Sequence, residues 1–111
     1  ASPRVLATLA PHSATTPVGM AIADSIGGIP ALAAVAILTT GIFGAMVATP
    51  LLDGLKITDP RARGFAVGVT AHGLGTARAF QVSETAGTFA GMAMALNAAM
   101  TALLLSLVAL F

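Results

Sequence analysis

Charge is scarce in this 111-residue chain, and cysteine is absent. Only 8% of the residues are Asp, Glu, Lys or Arg, whereas 57% are apolar. A soluble domain usually carries about a quarter of its residues as charged side chains. Without cysteine the chain forms no disulfide and offers no thiolate to a metal. The net charge of +1 and the lack of a basic run with interleaved aromatic residues argue against a nucleic-acid partner.

The motifs of common membrane and soluble hydrolases are also missing. There is no HExxH, and the two histidines and Asp24 lack the spacing of metal ligands. There is no GxSxG nucleophile elbow. Residues 73–78 superficially resemble a dinucleotide-binding loop, but Arg78 stands where the third glycine belongs and no strand precedes the run. The sequence therefore predicts a protein that is not an enzyme and that needs no cofactor.

Two long stretches, residues 31–52 and 85–111, are apolar and carry no charge. A helix rises about 1.5 Å per residue and the hydrocarbon core is about 30 Å thick, so each stretch is long enough to cross a membrane. The alternative is that both are buried helices of a soluble core. A chain of this length has too little polar surface to cover them, so membrane spans are favoured.

Signals for helix starts and stops divide the remaining sequence into two interrupted passes. Ser2-Pro3 and Thr16-Pro17 each pair a capping residue with a first-turn proline, and residues 11–15 lie between the two helices they begin. Gly27-Gly28 ends the second piece, because glycine tolerates a left-handed C-cap. Asp59-Pro60 begins the next pass after a polar loop at residues 53–59.

The later pass is predicted to break at residues 72–75. Gly73 and Gly75 weaken the helix there and permit positive φ, and Thr76 can cap a new half-helix to about residue 82. The predicted order is a broken pass at 1–29, a span at 31–52, a loop at 53–59, a broken pass at 60–84 and a span at 85–111. This is an all-α, polytopic transmembrane bundle with two discontinuous helices, predicted to be one repeat of an inverted-repeat transporter and the C-terminal half of a longer protein. The alternative is that one or both broken segments are re-entrant hairpins.

Small residues recur every fourth position in the last span, at Gly87, Gly91, Ala95 and Ala99. Such a row places small side chains on one helix face, where another backbone can approach closely. An alanine-rich composition without a specific packing role is the alternative.

Charge asymmetry predicts which side of the membrane the loops face. Lys56, Arg61 and Arg63 favour a cytoplasmic loop at residues 53–63, and Arg4 falls on the same side if all four segments cross. The half-helices that begin near Pro17 and Thr76 then point their N-termini into the membrane interior. Because helix N-termini carry partial positive charge, two of them facing one cavity favour an anion.

The two breaks hold the residues predicted to bind a substrate. Non-helical backbone at membrane depth must be buried in protein or line a cavity. An intramembrane arginine is costly without a partner, and the planar guanidinium matches a carboxylate. Pairing of Arg78 with Asp24 or Glu84, or snorkelling to the interface, is the alternative. The predicted binding residues are Ser13, Thr15 and Thr16 at the first break and His72, Gly73, Gly75, Thr76 and Arg78 at the second.

Proton coupling is predicted from the residues that can change charge near neutral pH. His72 is the first candidate because histidine titrates there, and His12 and Asp24 are the others. A neutral His72 that bonds a freed backbone carbonyl is an equally simple alternative. Asp24 lies near the end of its segment, where it can simply be solvated.

Four stretches of the sequence together resemble the LrgB/CidB family of bacterial membrane proteins. Residues 59–64 and 71–79 carry the strongest likeness, and residues 13–17 and 27–32 resemble other family motifs in the same order and spacing. The likeness covers essentially the whole chain but only the C-terminal half of a family member. One departure is that the family commonly has Pro-Lys-Ser where this chain has Pro11-His12-Ser13.

The resemblance implies a multi-pass protein of the bacterial inner (plasma) membrane, working with a small LrgA/CidA-type partner. Members are described as antiholin-like regulators of murein hydrolase export, plastid relatives as glycolate/glycerate translocators, and bacterial pairs are linked to pyruvate uptake. The leading prediction is a transporter of small monocarboxylates, assembled with an N-terminal half or a second copy. The rival prediction is a holin-like component that regulates lysis through homo-oligomer assembly.

Overall fold

The structure, a computed structural model, describes residues 2–110 and is all-α. Within that range it has five helices: α1 (Pro3–Leu9), α2 (Thr16–Ser25), α3 (Pro30–Gly54), α4 (Pro60–Val82) and α5 (Glu84–Ala109). No strand occurs among the described residues. The long helices α3 and α5 extend over most of the longest dimension, 41 Å, and the shorter helices pack against them.

Polar caps begin three of the five helices. The Ser2 hydroxyl accepts from the Val5 amide at 3.2 Å, and the Ser83 hydroxyl accepts from the Ala86 amide at 2.9 Å. The Asp59 carboxylate accepts from the Arg61 amide at 2.9 Å. Each bond satisfies one of the free amides of a first turn. After α2, Gly27 takes φ 89°, the left-handed conformation predicted for that stop.

Helices α3 and α5 are the two segments long and apolar enough to cross a membrane in the described chain. In their most apolar stretches only 17% and 6% of the residues are buried. Core helices of a soluble protein are mostly buried, whereas these expose large side chains such as Phe43, Met46 and Leu96. The two uncharged stretches thus form the two candidate membrane spans of the described chain.

Helix α4 reverses direction at His72, whose backbone (φ 42°, ψ −128°) is the one non-helical point inside it. A Cβ placed on Gly75 would lie 2.6 Å from the Ala71 Cβ and 2.9 Å from the Val67 carbonyl oxygen. Val67 and Gly75 are eight positions apart in the chain, and in a straight helix such residues are separated by about 12 Å. The arms 60–71 and 73–82 are thus antiparallel. This segment has the geometry of a hairpin and not that of a broken crossing.

The predicted mechanism of this break is wrong in two details. The glycines do not supply the turn, because in the described chain Gly27 is the one glycine with positive φ and Gly73 and Gly75 have ordinary helical backbone. Thr76 does not cap a half-helix, because the arm 73–82 follows His72 without a gap. The reversal is concentrated in one histidine, which tertiary contacts hold in a conformation that costs a non-glycine residue about 1–3 kcal/mol.

The chain also reverses between α1 and α2, at the predicted interruption. Residues 10–15 are turn and extended backbone. A Cβ on Gly28 would lie 2.8 Å from the Thr8 amide nitrogen, and one on Gly19 would lie 3.2 Å from the Pro11 carbonyl oxygen. The buried Thr8 hydroxyl donates to the Arg4 carbonyl at 2.7 Å and accepts from the Ile29 amide at 2.8 Å. Thr8 therefore ties the last turn of α1 to the start of α3.

Glycine permits the closest helix packing in the molecule, between the arm 60–71 and α5. A Cβ on Gly64 would overlap the Ala86 carbonyl, and one on Gly68 would overlap the Ala90 carbonyl. Of the predicted small-residue face, Gly87 is buried, and a Cβ there would overlap the Phe80 ring, whereas Ala95 and Ala99 are exposed. The other buried residues in the described part of α5 are Ala86, Ala90 and Ala93.

Candidate functional site

A cavity of about 540 Å³ lies between α3, the arm 60–71 and the first break. It follows α3 from Thr39 and Thr40 to Leu51 and Leu52. Most of its wall is apolar. The polar side chains that line it gather near the middle of α3: His12, Thr39, Thr40 and Thr70.

The three threonine hydroxyls of the cavity are already placed by their own helices. Thr39, Thr40 and Thr70 each donate at 2.8 Å to the carbonyl four residues earlier. A hydroxyl keeps two acceptor lone pairs and can rotate its hydrogen toward another acceptor. The threonine hydroxyls can thus turn to bond a polar ligand. The helix carbonyls that they leave still accept hydrogen bonds from the helix backbone.

His12 brings a titratable group to this cavity. Its Nδ1 lies 3.0 Å from the Leu9 carbonyl oxygen. Because a carbonyl only accepts, Nδ1 carries the hydrogen and Nε2 is the ring nitrogen with a free lone pair. The side chain is exposed and lines the cavity.

The other polar residues of the first break do not line the cavity. The Ser13 carbonyl accepts a hydrogen bond from the Asn97 side-chain amide at 2.9 Å, which joins the break to the middle of α5. Thr15 is the N-cap of α2 but makes no capping bond through its side chain, and Thr16 is the first helical residue. Thr15 and Thr16 are half-buried, and neither lines the cavity.

His72 is 3% exposed and faces α3, not the cavity. Its Nε2 lies 2.8 Å from the Ile37 carbonyl oxygen, so this nitrogen carries the hydrogen and donates it. Gly41 makes room for the ring, since a Cβ there would lie 2.5 Å from the His72 Cε1. The His72 ring is thus bonded to a backbone carbonyl, and its part in proton coupling stays a prediction.

The remaining residues of the second break divide between packing and exposure. The Thr76 hydroxyl is buried and points at the Met94 sulfur, 3.8 Å away. Gly75 is buried against Val67. Gly73 is exposed at the tip, with open space where a side chain would be. None of these three residues lines the cavity of about 540 Å³.

Arg78 lies apart from the other predicted binding residues. With Arg63 it lines a cleft of about 30 Å³ near the loop end of α4. Its Nη1 donates a long hydrogen bond, 3.4 Å, to the Gln81 side chain, so it pairs with neither Asp24 nor Glu84. Arg63 is held by the Asp53 carboxylate at 2.7 Å and by the Ile57 carbonyl at 2.8 Å. Asp24 is exposed near the end of α2.

Sequence reasoning did not identify four residues of this region: Thr39, Thr40, Thr70 and Asn97. Each lies inside an apparently regular helix, where threonine and asparagine have no signal of their own. The only local hint is a polar side chain inside an apolar stretch. No group of three His, Asp or Glu side chains that could hold a metal ion occurs in residues 2–110.

Two observations define a membrane protein: the outward apolar faces of α3 and α5, and the family match. The chain belongs to the LrgB-like family, whose sequence profile matches residues 1–111. The resemblance of residues 13–17, 27–32, 59–64 and 71–79 is thereby confirmed.

Three bacterial relatives illustrate the match. The chain is 38% identical over 94 residues to YwbG, an uncharacterised protein of Bacillus subtilis, covering 85% of the chain and 42% of that protein. It is 33% identical over 95 residues to an uncharacterised protein of Haemophilus influenzae, covering 86% of the chain and 41% of that protein. It is 31% identical over 101 residues to the holin-like protein CidB of Staphylococcus aureus, covering 91% of the chain and 44% of CidB. The chain spans less than half the length of these relatives, and no solved structure matches it.

Proposed function

We propose that this chain is the substrate-binding part of a multi-pass plasma-membrane transporter that carries small monocarboxylates of the pyruvate, lactate, glycolate and glycerate type together with a proton. The observation that supports the proposal is His12, whose Nε2 is left to take up a proton beside three threonines in a cavity of about 540 Å³. Small-ligand sites typically have volumes of about 300–1,000 Å³, with a few polar groups in a largely apolar wall. The cavity fits that description.

The chemistry of such a site follows from the cost of charge in a membrane. A lone carboxylate in the membrane interior costs several kcal/mol, and a lone imidazolium is costly too. Protonation of His12 Nε2 in the presence of a carboxylate gives a neutral pair joined by a charge-assisted hydrogen bond. The hydroxyls of Thr40 and Thr70 would turn toward the carboxylate or the substrate's own oxygen.

In this proposal the predicted residues act at different distances from the substrate. Ser13, Thr15 and Thr16 shape the first break beside His12, and His72, Gly73, Gly75 and Thr76 shape the tip of the α4 hairpin. Arg78 lies at the loop end of the bundle, where an anion would meet it on the way to the cavity. Asp24, exposed on α2, is the weakest candidate for a proton carrier.

The proposed assembly includes partners. The chain spans less than half the length of its relatives, so the proposed transporter includes the remaining segments of a full-length protein. We propose a homo-oligomer that works with a small LrgA/CidA-type membrane protein.

The test is uptake of radiolabelled pyruvate, lactate and glycolate into proteoliposomes that hold the full-length protein, with and without its small partner and with a pH gradient. We expect saturable uptake that increases when the outside is acidified. Empty liposomes and liposomes with a His12→Ala variant are the controls. If uptake is absent under every combination, the transport proposal is wrong.

A holin-like function is the second candidate, and one observation favours it. The apolar faces of α3 and α5 are exposed, and Ala95 and Ala99 of α5 lie unburied in the chain by itself. Small residues on a membrane helix allow close association with another helix. This candidate predicts that a fluorescent dye trapped in the same liposomes is released. It also predicts no saturable uptake of carboxylate.

A further inference from the structure

We propose that residues 3–54 and 60–109 are two inverted copies of one structural unit, and that their hairpins enter the membrane from opposite faces and meet at the His12 cavity. Each unit is a hairpin followed by a long span. From the sequence alone, the chain is predicted to be one repeat of such a pair. Here both members lie within the chain.

The two units share their order of elements and the residues that delimit them. Each begins at a polar cap followed by proline, Ser2-Pro3 and Asp59-Pro60. Each then has a break, at 10–15 and at His72, followed by a returning helix: α2 (Thr16–Ser25) and the arm 73–82. Each ends in a long apolar helix, of 25 residues in α3 and 26 in α5.

Within each unit, the hairpin returns to the end of the bundle from which it entered. In the first unit Thr8 bonds the Ile29 amide at the start of α3, and Pro11 lies deeper, beside Gly19. In the second unit the cleft near the loop end brings together Arg63 from the outgoing arm and Val82 from the returning arm. Neither hairpin crosses the bundle.

The long helices show that the units are inverted. The arm 60–71 runs antiparallel to α3, because Ala71 lies against Gly44 while Arg63 bonds Asp53 at the end of α3. The same arm runs parallel to α5, since Gly64 meets Ala86 and Gly68 meets Ala90. Helices α3 and α5 are therefore antiparallel, and the hairpin before each one enters from the opposite end of the bundle.

The tips of both hairpins reach the middle of the long helices. The first tip bonds the middle of α5 through Ser13 and Asn97. The second tip bonds the middle of α3 through His72 and Ile37. His12 from the first hairpin and Thr70 from the second line the same cavity.

The cavity is partly open along its length, since Thr39, Phe43 and Thr70 of its lining are exposed, and it is closed at one end. From Thr40 it continues along α3 to Leu51 and Leu52, beside the loop at residues 53–59. Toward the other end, Pro11, Gly19 and Ile37 are buried against one another and close the path. If the protein transports its ligand as proposed above, each hairpin gates one face, and this state is open toward the loop at 53–59. That functional use rests on the proposed transport activity, whereas the inverted arrangement does not.

Single cysteines distinguish this arrangement from four successive crossings, in the full-length protein freed of any other cysteine. The exposed positions Ser2, Ser25, Thr58 and Thr85 are each changed to cysteine and labelled with a membrane-impermeant maleimide in vesicles of known orientation. We expect labelling of Ser2→Cys and Ser25→Cys from one face and of Thr58→Cys and Thr85→Cys from the other. Four crossings require that Ser2 and Ser25 lie on opposite faces, as do Thr58 and Thr85. Either pair found on opposite faces overturns the inverted units.

Access to the cavity is measured with Thr40→Cys and a small impermeant thiosulfonate in the same vesicles. Labelling from the Thr58 face, alone or together with the other face, is the expected result. Labelling solely from the Ser25 face, or from neither face, overturns the inferred route. Both readouts are independent of uptake, so a protein that fails to transport carboxylates still reports whether its hairpins are inverted.

Discussion

The His72 Nε2–H donates a hydrogen bond to the carbonyl oxygen of Ile37, 2.8 Å away, and so ties the tip of the α4 hairpin to the middle of α3. This bond joins residues 35 positions apart in the chain. His72 and Lys56 are the two non-glycine residues with positive φ in the described structure, and this bond holds His72 in place. The stability of the fold should therefore depend on both the ring and the backbone of this residue.

Replacing His72 separates these two contributions. His72→Ala loses the hydrogen bond and keeps the unfavourable backbone, whereas His72→Gly loses the bond but adopts φ 42° without a steric penalty. We expect the glycine variant to be more stable than the alanine variant by roughly 1–3 kcal/mol, the usual cost of such a conformation. The free energies of unfolding are compared by titration with a denaturing detergent. Equal stabilities would show that the backbone at His72 is unstrained.

Gly41 provides the space for the His72 ring. A Cβ there would lie 2.5 Å from the His72 Cε1, so Gly41→Ala should displace the ring and weaken its bond to Ile37. We expect a loss of about 1–3 kcal/mol, typical of overpacking a filled interior. Gly54→Ala is the matched control, because nothing lies within 4 Å of a Cβ at that position of the same helix. Thermal unfolding in detergent measures both, and equal midpoints for the two variants would contradict the packing argument.

The contact between the α4 hairpin and α5 should tolerate no added atom. In Gly68→Ala the new Cβ meets the Ala90 backbone carbonyl, which cannot rotate away as a side chain does. We expect destabilisation by about 1–3 kcal/mol or more. In the control Gly91→Ala, the nearest heavy atom to the new Cβ is the Thr76 Cγ2 at 3.9 Å, an ordinary contact. That variant should be at least as stable as the parent protein, because alanine has a higher helix propensity than glycine. A comparable loss in Gly91→Ala would contradict the clash at Gly68.

The Asp59 cap should make the start of α4 sensitive to acid. Hydrogen bonds from the Arg61 side chain and backbone lower the pKa of the Asp59 carboxyl below its ordinary value. A lowered pKa in the folded state contributes stability that is present above the unfolded-state pKa and is lost as the pH falls through the folded-state pKa. Unfolding midpoints between about pH 2 and pH 7 should therefore drop less steeply in Asp59→Asn, which keeps an N-capping side chain. An unchanged acid profile would argue against this contribution.

His12, and not His72, should set the pH dependence of uptake. Histidine is the side chain that normally changes charge between about pH 5 and 8, and His12 has the nitrogen that is left to take up a proton beside the cavity. His12→Gln should lower substrate affinity by about tenfold or more, since a hydrogen bond to a charged group contributes roughly 1.5–3 kcal/mol. His12→Lys should bind with nearly constant affinity across that pH range.

His72→Gln is the control for this prediction, measured in the same liposomes. It should keep the pH dependence of the parent protein at reduced stability. A pH profile that vanishes in His72→Gln and persists in His12→Gln would assign the proton to the second hairpin instead.

The features predictable from sequence are those determined by neighbouring residues. Ser2, Asp59 and Gly27 act locally, and each caps or stops a helix as its residue type predicts. The two long apolar helices follow from composition over more than twenty residues, and α3 and α5 are candidate membrane spans at these positions. The family resemblance, carried by contiguous motifs, is confirmed as well.

What could not be predicted depends on contacts between distant residues. The glycines at 73 and 75 have the intrinsic freedom to break a helix, yet the break falls on His72 because Ile37 and Gly41 accommodate its ring. The cavity threonines become a group when the arm 60–71 folds against α3. Arg78 leaves the expected site because the reversal carries it back to the loop end of α4.

The glycine-to-carbonyl contacts at Gly64 and Gly68 divide the molecule into a stiff part and a compliant part. Backbone lies directly on backbone where the arm 60–71 meets α5, so that pair can shift only as one body. Helix α1, by contrast, is mostly exposed and is fastened chiefly through Thr8. Random substitutions should therefore be tolerated along α1 and should impair the protein where the arm 60–71 contacts α5, between Gly64 and Ala90. A deep mutational scan would show this difference as intolerant positions on one side of the bundle.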